Sequence, residues 1–263
     1  MVGDDGVRLR PQLGEGIVAG TAVVTGAAKG IGAACAAAFV DAGWSVVAVD
    51  RDAHALEAAC APFGNAAFAV AGDVSERRTN DTAVRQAVER FGRLDAVVGN
   101  AGVNLPKLID DTSDAEFDRL VAVNIKALFY LAQTAHRALA GSRGCFTIIA
   151  SKTGLVAQRN SPVYVATKGA AVQLARALAL DWAPEGIRVN AVCPGIVDTP
   201  MLREFVDALP NPERAWSEHE LAQPLGRLAT PAEIAAAVLF LSSAAASFIT
   251  GVALPVDGGF TAE

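Results

Sequence analysis

Short apolar runs alternate along the chain with longer amphipathic or alanine-rich stretches. The apolar runs predict strands at Thr21–Thr25, Ser45–Asp50, Ala66–Ala71, Leu94–Gly99, Cys145–Ala150, Arg188–Cys193 and Val252–Val256. Helical patterns lie between them, at Gly30–Ala42, Ala53–Ala61, Ser75–Phe91, Ser113–Ala140, Ser161–Ala183 and Pro231–Ser243. The early strands are almost wholly apolar, as strands covered on both faces should be. Strands alternating with helices imply βαβ units and an α/β fold built on a parallel sheet. Pro184, Gly186, Pro194 and Pro231 punctuate element ends. The stretch from Gly195 to Thr230 breaks the rhythm with several prolines and mixed charges. A connection this long is expected to carry small helices and to cover a substrate.

Composition narrows the possibilities. The chain has 263 residues, 52% of them hydrophobic, which excludes intrinsic disorder. Its 22 Lys and Arg against 28 Asp and Glu give a net charge of −6, and the cations do not cluster, so nucleic acid is not an expected partner. A mean hydropathy of +0.34 raises the question of a membrane. Alanine, about a fifth of the chain, supplies much of it. The apolar stretches Gly30–Val40, ended by Asp41, and Gly169–Leu180, interrupted by Arg176, fall short of the roughly 18 residues a span needs. The opening MVGDDGVRLRPQLGEG has early acids and no apolar core, so it does not read as a secretory signal. Residues 1–19 are expected to form a flexible lead-in and residues 20–263 a single domain. Cys35, Cys60, Cys145 and Cys193 form no C-x-x-C pair, and His54, His136 and His219 are scattered, so no metal site is expected. Reduced thiols in a cytoplasm follow as the default.

The strongest chemical signal is GAAKGIG, Gly26 to Gly32, between the first strand and the first helix. Gly26 permits a tight turn, Gly30 lets backbone amides approach a pyrophosphate, and Gly32 lets the helix pack against the strand. The helix N-terminus adds free N–H groups and a favourable dipole for an anion. Asp50 ends the second strand, where a carboxylate can accept hydrogen bonds from both adenosine-ribose hydroxyls. It also reads as a strand-end turn residue, with Asp52 as a helix cap. A negative charge at Asp50 repels a 2′-phosphate and favours NAD over NADP. Lys29 in the loop and Arg51 beside Asp50 could each reach such a phosphate, which keeps NADP open.

Together the motifs resemble the short-chain dehydrogenase/reductase family, in its compact single-domain branch, from about Gly20 to Phe260. TGAAKGIG, with Ile31 between its last two glycines, is similar to that family's TGxxxGIG. Gly99-Asn100-Ala101-Gly102 resembles its NNAG segment, with Gly99 in place of the commoner Asn. YVATK, Tyr164 to Lys168, resembles its YxxxK motif, PGIVDTP its nicotinamide-contacting segment, and VDGG its C-terminal ending. The resemblance implies a Rossmann-type doubly wound sheet of about seven strands in the order 3-2-1-4-5-6-7. It implies hydride transfer between a secondary alcohol or ketone and NAD, with NADP possible. A ketone or 3-oxoacyl-carrier reductase using NADPH is the second reading, and a catalytically silent dinucleotide sensor a third.

The same resemblance assigns roles. Tyr164 becomes the general acid/base and Lys168 its pKa tuner and ribose ligand. Ser151 hydrogen-bonds the reacting oxygen, and Asn124 holds a water linking Lys168 to solvent. A free tyrosine titrates near pH ~10, so the phenolate needs stabilising, which an adjacent ammonium and the oxidised nicotinamide can supply. Asp73 and Val74 fall where the family holds the adenine, although Asp73 could instead cap the helix that follows. Asn100, Ala101 and Gly102 lie at the fourth strand's carboxyl end, the crevice where open α/β sheets bind ligands. Pro194, Gly195, Val197 and Thr199 are expected around the nicotinamide, with Gly195 another close backbone approach. Gln158 and Arg159 hint at a hydroxylated substrate, and equally read as exposed loop residues. Two long helices, apolar on more than one face, need a partner surface, and the resemblance, to a family that commonly pairs these helices across a two-fold axis and uses its C-terminal strand in a second interface, implies a homotetramer, with a dimer second.

Overall fold

The structure, a computed structural model, describes residues 20–262, so the expected lead-in at 1–19 lies outside the described residues. Seven parallel strands form one sheet: β1 (Thr21–Thr25), β2 (Ser45–Asp50), β3 (Ala67–Ala71), β4 (Ala96–Gly99), β5 (Cys145–Ile149), β6 (Arg188–Pro194) and β7 (Ala253–Val256). Their order is β3-β2-β1-β4-β5-β6-β7, as expected. The order reverses direction beside β1, which pairs with both β2 and β4. That switch point opens a crevice at the carboxyl ends of the strands.

Successive side chains on a strand point to opposite faces. Val23, Val47, Val97 and Phe146 enter one core, while Ala22, Val24, Val46 and Val98 enter the other. Helix α1 (Gly30–Asp41) brings Cys35, Ala36 and Phe39 to the second core. Helices α2 (Ala53–Cys60) and α3 (Arg77–Phe91) follow β2 and β3, and α3 packs Ala83 and Ala87 into the first core. Alanines at these contacts let the helices lie close to the sheet, so the positive hydropathy is spent on two buried layers. The uncharged run from Ile234 to Val256 is divided between helix, turn and strand. Among the described residues, no helix is long and apolar enough to cross a membrane.

Two helix expectations are corrected. The third helix starts at Arg77 and not at Ser75, because the Asp73 carboxylate accepts both the Ser75 N–H (2.8 Å) and its hydroxyl (2.7 Å) and holds a turn there. The single helix expected over Ser113–Ala140 is two, α4 (Asp114–Val121) and α5 (Ala127–Ser142), joined by a π turn at Ala122–Lys126. Asn124 sits inside that turn. Its Oδ1 accepts the Val103 N–H (2.9 Å), and its Nδ2 donates to the Val103 carbonyl (2.9 Å) and to Thr167 Oγ1 (3.1 Å). One side chain thus pairs with a loop backbone as a neighbouring strand would. A π turn inside a helix is a frequent mark of a functional site.

Helix α6 (Pro162–Trp182) precedes β6. The long connection after β6 carries two short helices, α7 (Pro200–Asp207) and α8 (Pro212–Leu221), before α9 (Pro231–Ser242). Both ends of this excursion are tied together. Val197 bridges Ala229, and the Asp198 N–H donates to the Ala229 carbonyl (2.9 Å). Gln223, 1% exposed, accepts the Ile196 N–H (2.8 Å) and donates to the Ile196 (3.2 Å) and Arg227 (2.7 Å) carbonyls. Replacing Asn124 by Ala leaves the buried amide's partners unmatched and should lower unfolding stability by about 2 kcal/mol or more, read from urea titration.

Candidate active site

The site is built on the carboxyl edge of the sheet. Gly26 and Gly30 adopt left-handed φ of +66° and +59°, which turn the chain from β1 into α1. A methyl group on Gly32 would collide with the Gly26 carbonyl, so only glycine lets the helix leave the strand so closely. The first turn of α1 holds no acidic residue, and no side chain caps its N–H groups. It is therefore free to receive an anion. These features fit a dinucleotide pyrophosphate over Gly30, Ile31 and Gly32.

Asp50 is pinned at this loop. Its carboxylate accepts the Ala28 N–H (3.1 Å) and the Asp52 N–H (3.1 Å). Asp52 in turn accepts the Ala55 N–H (3.0 Å), so the strand-end turn and the helix cap read from the sequence are both present. Arg51 is exposed. Lys29 is exposed as well and lies 3.6 Å from Glu204 on α7, a pair that links the glycine loop to the long excursion. Thr199 caps α7 by accepting the Leu202 N–H (3.3 Å) and stands over Gly30, where an added methyl would meet its own methyl at 3.4 Å.

Across the switch point, Asn100 Nδ2 donates to the carbonyls of Thr25 (2.8 Å) and Gly26 (3.2 Å). Thr25 Oγ1 accepts the N–H groups of Asn100 (3.0 Å) and Ala101 (3.1 Å). Asn100 thus braces the loop. Gly102 borders a space shared by two candidate groups: a methyl there would lie 3.4 Å from Asn124 Oδ1 and 3.5 Å from Lys168 Nζ. Val74 is buried in the core.

Ser151 follows β5 in extended backbone, and its hydroxyl accepts the Thr153 N–H (3.1 Å) and hydroxyl (2.9 Å). Tyr164 and Lys168 share a face of α6, one turn apart. Lys168 is buried, donates to the Ile149 carbonyl (3.0 Å), and stands 5.7 Å from the centre of the Tyr164 ring. Burial pushes the Tyr164 phenol up to about 12, against a smaller opposing pull from the Ser151 hydroxyl. Burial also pushes the Lys168 ammonium down to about 8. In the chain by itself desolvation sets the direction of the Tyr164 shift, so the lowering expected from the ammonium and the oxidised nicotinamide together is not reached by the protein alone.

Other expectations are corrected or refined. Glycine at Gly195 is required by packing, since a side chain there would meet Gln223 Oε1 and come within 2.7 Å of Asp257 Cα. Val197 is buried and paired with Ala229, and Pro194 closes β6. Gln158 and Arg159 are exposed. His136 stacks on Trp182 (4.7 Å between ring centres) and lies 2.9 Å from Glu185, away from the crevice. Sequence reasoning missed Thr25, Thr167 and Gln223. Each is a lone polar residue in an apolar or loop setting, and only the fold reveals its partners.

The comparisons with known proteins agree with this geometry. Residues 26–261 match the family model described as enoyl-(acyl carrier protein) reductase. The chain is 42% identical over 238 residues to L-fucose dehydrogenase of Mus musculus, covering 90% of this chain and 86% of that one. It is 38% identical over 243 residues to meso-2,3-butanediol dehydrogenase of Serratia marcescens, covering 92% and 94%. The crystal structure of 3-ketoacyl-(acyl-carrier-protein) reductase from Brucella melitensis complexed with NADH superposes with a TM-score of 0.85 at 36% identity, covering 92% and 98%. The chain belongs to the short-chain dehydrogenase/reductase family. It is an oxidoreductase acting on CH–OH groups with a nicotinamide dinucleotide.

Lys168 supplies a pH signature of the cofactor-free protein. Below pH ~8 it is protonated in folded and unfolded chains alike; between about 8 and 10.5 only the unfolded chain holds the proton. Its contribution to stability should therefore rise with pH across that window. The difference in unfolding free energy between wild type and Lys168→Met, measured from pH 7 to 10, should move in favour of wild type.

Proposed function

We propose that this protein oxidises a secondary alcohol with NAD, using Tyr164, Lys168, Ser151 and Asn124. The observation that carries the reading is the convergence of Lys168 Nζ and Asn124 Oδ1 on the space beside Gly102, with Tyr164 one helical turn from Lys168. When bound, the nicotinamide accepts or donates the hydride. Tyr164 exchanges the proton with the substrate oxygen, and Ser151 hydrogen-bonds that oxygen while Thr153 fixes the Ser151 hydroxyl. A phenol near 12 cannot serve as a base near neutrality, so the positive charge gathered in the site must offset its desolvation. Lys168, anchored on Ile149, holds part of that charge at a fixed distance. Both Nδ2 hydrogens of Asn124 are committed to protein partners. A relay water facing Lys168 is therefore held by Asn124 Oδ1 or by backbone of the π turn.

Gly26, Lys29, Gly30, Ile31 and Gly32 form the phosphate loop in this reading, and Asp50 takes the adenosine ribose. Asp73, Val74, Asn100, Ala101 and Gly102 shape the adenine and ribose pocket, and Pro194, Gly195, Val197 and Thr199 the nicotinamide end. NAD is preferred because Asp50 is fixed at the loop by two backbone N–H groups and cannot swing away from a 2′-phosphate without abandoning them. Lys29, one of the two cations that could offset it, already faces Glu204. The substrate class is a hydroxylated secondary alcohol. L-fucose and meso-2,3-butanediol, for which two relatives are named, both carry adjacent hydroxyls, and polar Gln158 and Arg159 lie in the loop before Tyr164.

The domain at 20–263, cytoplasmic placement and a homotetramer, with a dimer second, complete the proposal. Exposed Phe117, Phe129 and Leu180 on α4, α5 and α6 favour association. Light scattering that finds a stable monomer would remove the tetramer. Tyr164→Phe should bind NADH as wild type does while turnover falls by about 10²–10⁴-fold. Unchanged turnover would send the proton elsewhere. Fluorescence titration should show NADH binding more tightly than NADPH. Asp50→Ser should narrow that gap by about tenfold or more, the worth of about 1.4 kcal/mol.

A further inference from the structure

A second cavity lies at the amino edge of the sheet, on the opposite side from the dinucleotide crevice. Its walls come from the starts of β5 and β6, the turn before β4, the end of α5 and the segment after α9. Its volume is about 280 Å³, just under the roughly 300 Å³ at which pockets begin to hold drug-sized ligands. It suits a small ion or a compact metabolite better than a nucleotide.

The charges around it do not balance. Arg93, Arg143 and Arg188 line the cavity together with one carboxylate, Asp95. Asp95 is already satisfied: Arg93 grips it with contacts of 2.6 to 3.0 Å, and it accepts the Thr21 N–H (2.8 Å). Arg188 donates only to the Ile249 (3.3 Å) and Ser243 (3.4 Å) carbonyls. Among the described residues no carboxylate pairs with Arg143 or Arg188, so two guanidinium charges stand uncompensated. Trp44 lines the same cavity. It is buried, and its indole N–H has no hydrogen-bond partner among the described residues. A buried indole N–H ordinarily finds an acceptor.

Arg143 adds an independent sign. It closes α5 in left-handed backbone, φ +53°, where glycine is the residue of least strain. An arginine kept in that conformation suggests that its side chain does something glycine cannot. We propose that this cavity is a phosphate site, taking a free phosphate or the phosphate group of a small metabolite. The ligand is held by Arg143 and Arg188, and the unpartnered Ser247 hydroxyl is a further donor at the rim. Guanidinium groups meet phosphate oxygens in paired, charge-assisted hydrogen bonds, which suits them to this ligand.

The test uses the full chain saturated with NADH, so that the glycine loop is already filled. Thermal unfolding is followed while inorganic phosphate or glycerol phosphate is added at constant ionic strength, with chloride as the control. Both arms should raise the midpoint in a saturable way that chloride does not reproduce. The tighter of the two identifies the source of the phosphate, and equal affinities mean that the phosphate group alone is read. Arg143→Gly relieves the left-handed strain, so it should fold with an unchanged or higher midpoint without phosphate, yet bind phosphate about tenfold or more weakly. Arg143→Lys should keep part of the affinity. Calorimetric titration of the same variants gives the affinities directly. No phosphate effect beyond chloride in wild type, or an undiminished one in Arg143→Gly, would overturn the site.

Discussion

The stitch between the ends of β1 and β4 is the constraint on which the rest of the active site depends. Thr25 Oγ1 receives two backbone N–H groups from the far side of the switch point, and Asn100 Nδ2 returns two bonds to the Thr25 and Gly26 carbonyls. These bonds cross exactly where a parallel sheet has no ladder left to hold it, so without them the crevice would be a gap between two fraying strand ends. With them the glycine turn has a fixed height above the sheet. Gly102 is carried to the place where Lys168 and Asn124 meet, and α1 starts in line with the crevice.

The electrostatics of the site follow from burial. Lys168 is placed where an ammonium is costly and Tyr164 where a phenolate is costly, so each is driven toward its neutral form. At neutral pH Lys168 still carries its charge, since about 8 lies above neutrality, while Tyr164 is neutral. They become an acid–base pair only when further positive charge enters the crevice.

Much of this was legible in the sequence because it rests on short local patterns. The glycine loop between an apolar strand and an alanine-rich helix, the carboxylate at the next strand end, and the Tyr and Lys one turn apart are each local patterns, readable without knowing what packs against them. The parallel sheet followed from the alternation of strands and helices, and its strand order from the family resemblance. What escaped was non-local. At the π turn the Asn124 side chain is held by Val103 and Thr167 together, both distant in sequence; periodicity alone continues the helix through it. Gly195 has a packing reason to be glycine that spacing could not reveal, since a side chain there would meet Gln223 Oε1 at the other end of the excursion. The upward displacement of the Tyr164 pKa was hidden for a similar reason, since spacing reports a neighbouring charge but not the depth at which it is buried.

The pinning of the long excursion has a consequence for how such a protein can change. The chain leaves the sheet at Ile196 and comes back at Arg227 to Ala229, and Gln223 and the Val197–Ala229 bridge clamp departure and return to each other. Everything between is closed at its base, with Thr199 over Gly30 and Glu204 beside Lys29 as its contacts to the glycine loop. Helices α7 and α8 can be lengthened, shortened or resurfaced with little strain on the sheet, because loop length adds only slowly to the cost of closure. Closure at the base thus leaves the middle of the excursion open to changes of length and surface, while Val197 and Thr199 at its start stay in register with the sheet and the glycine loop.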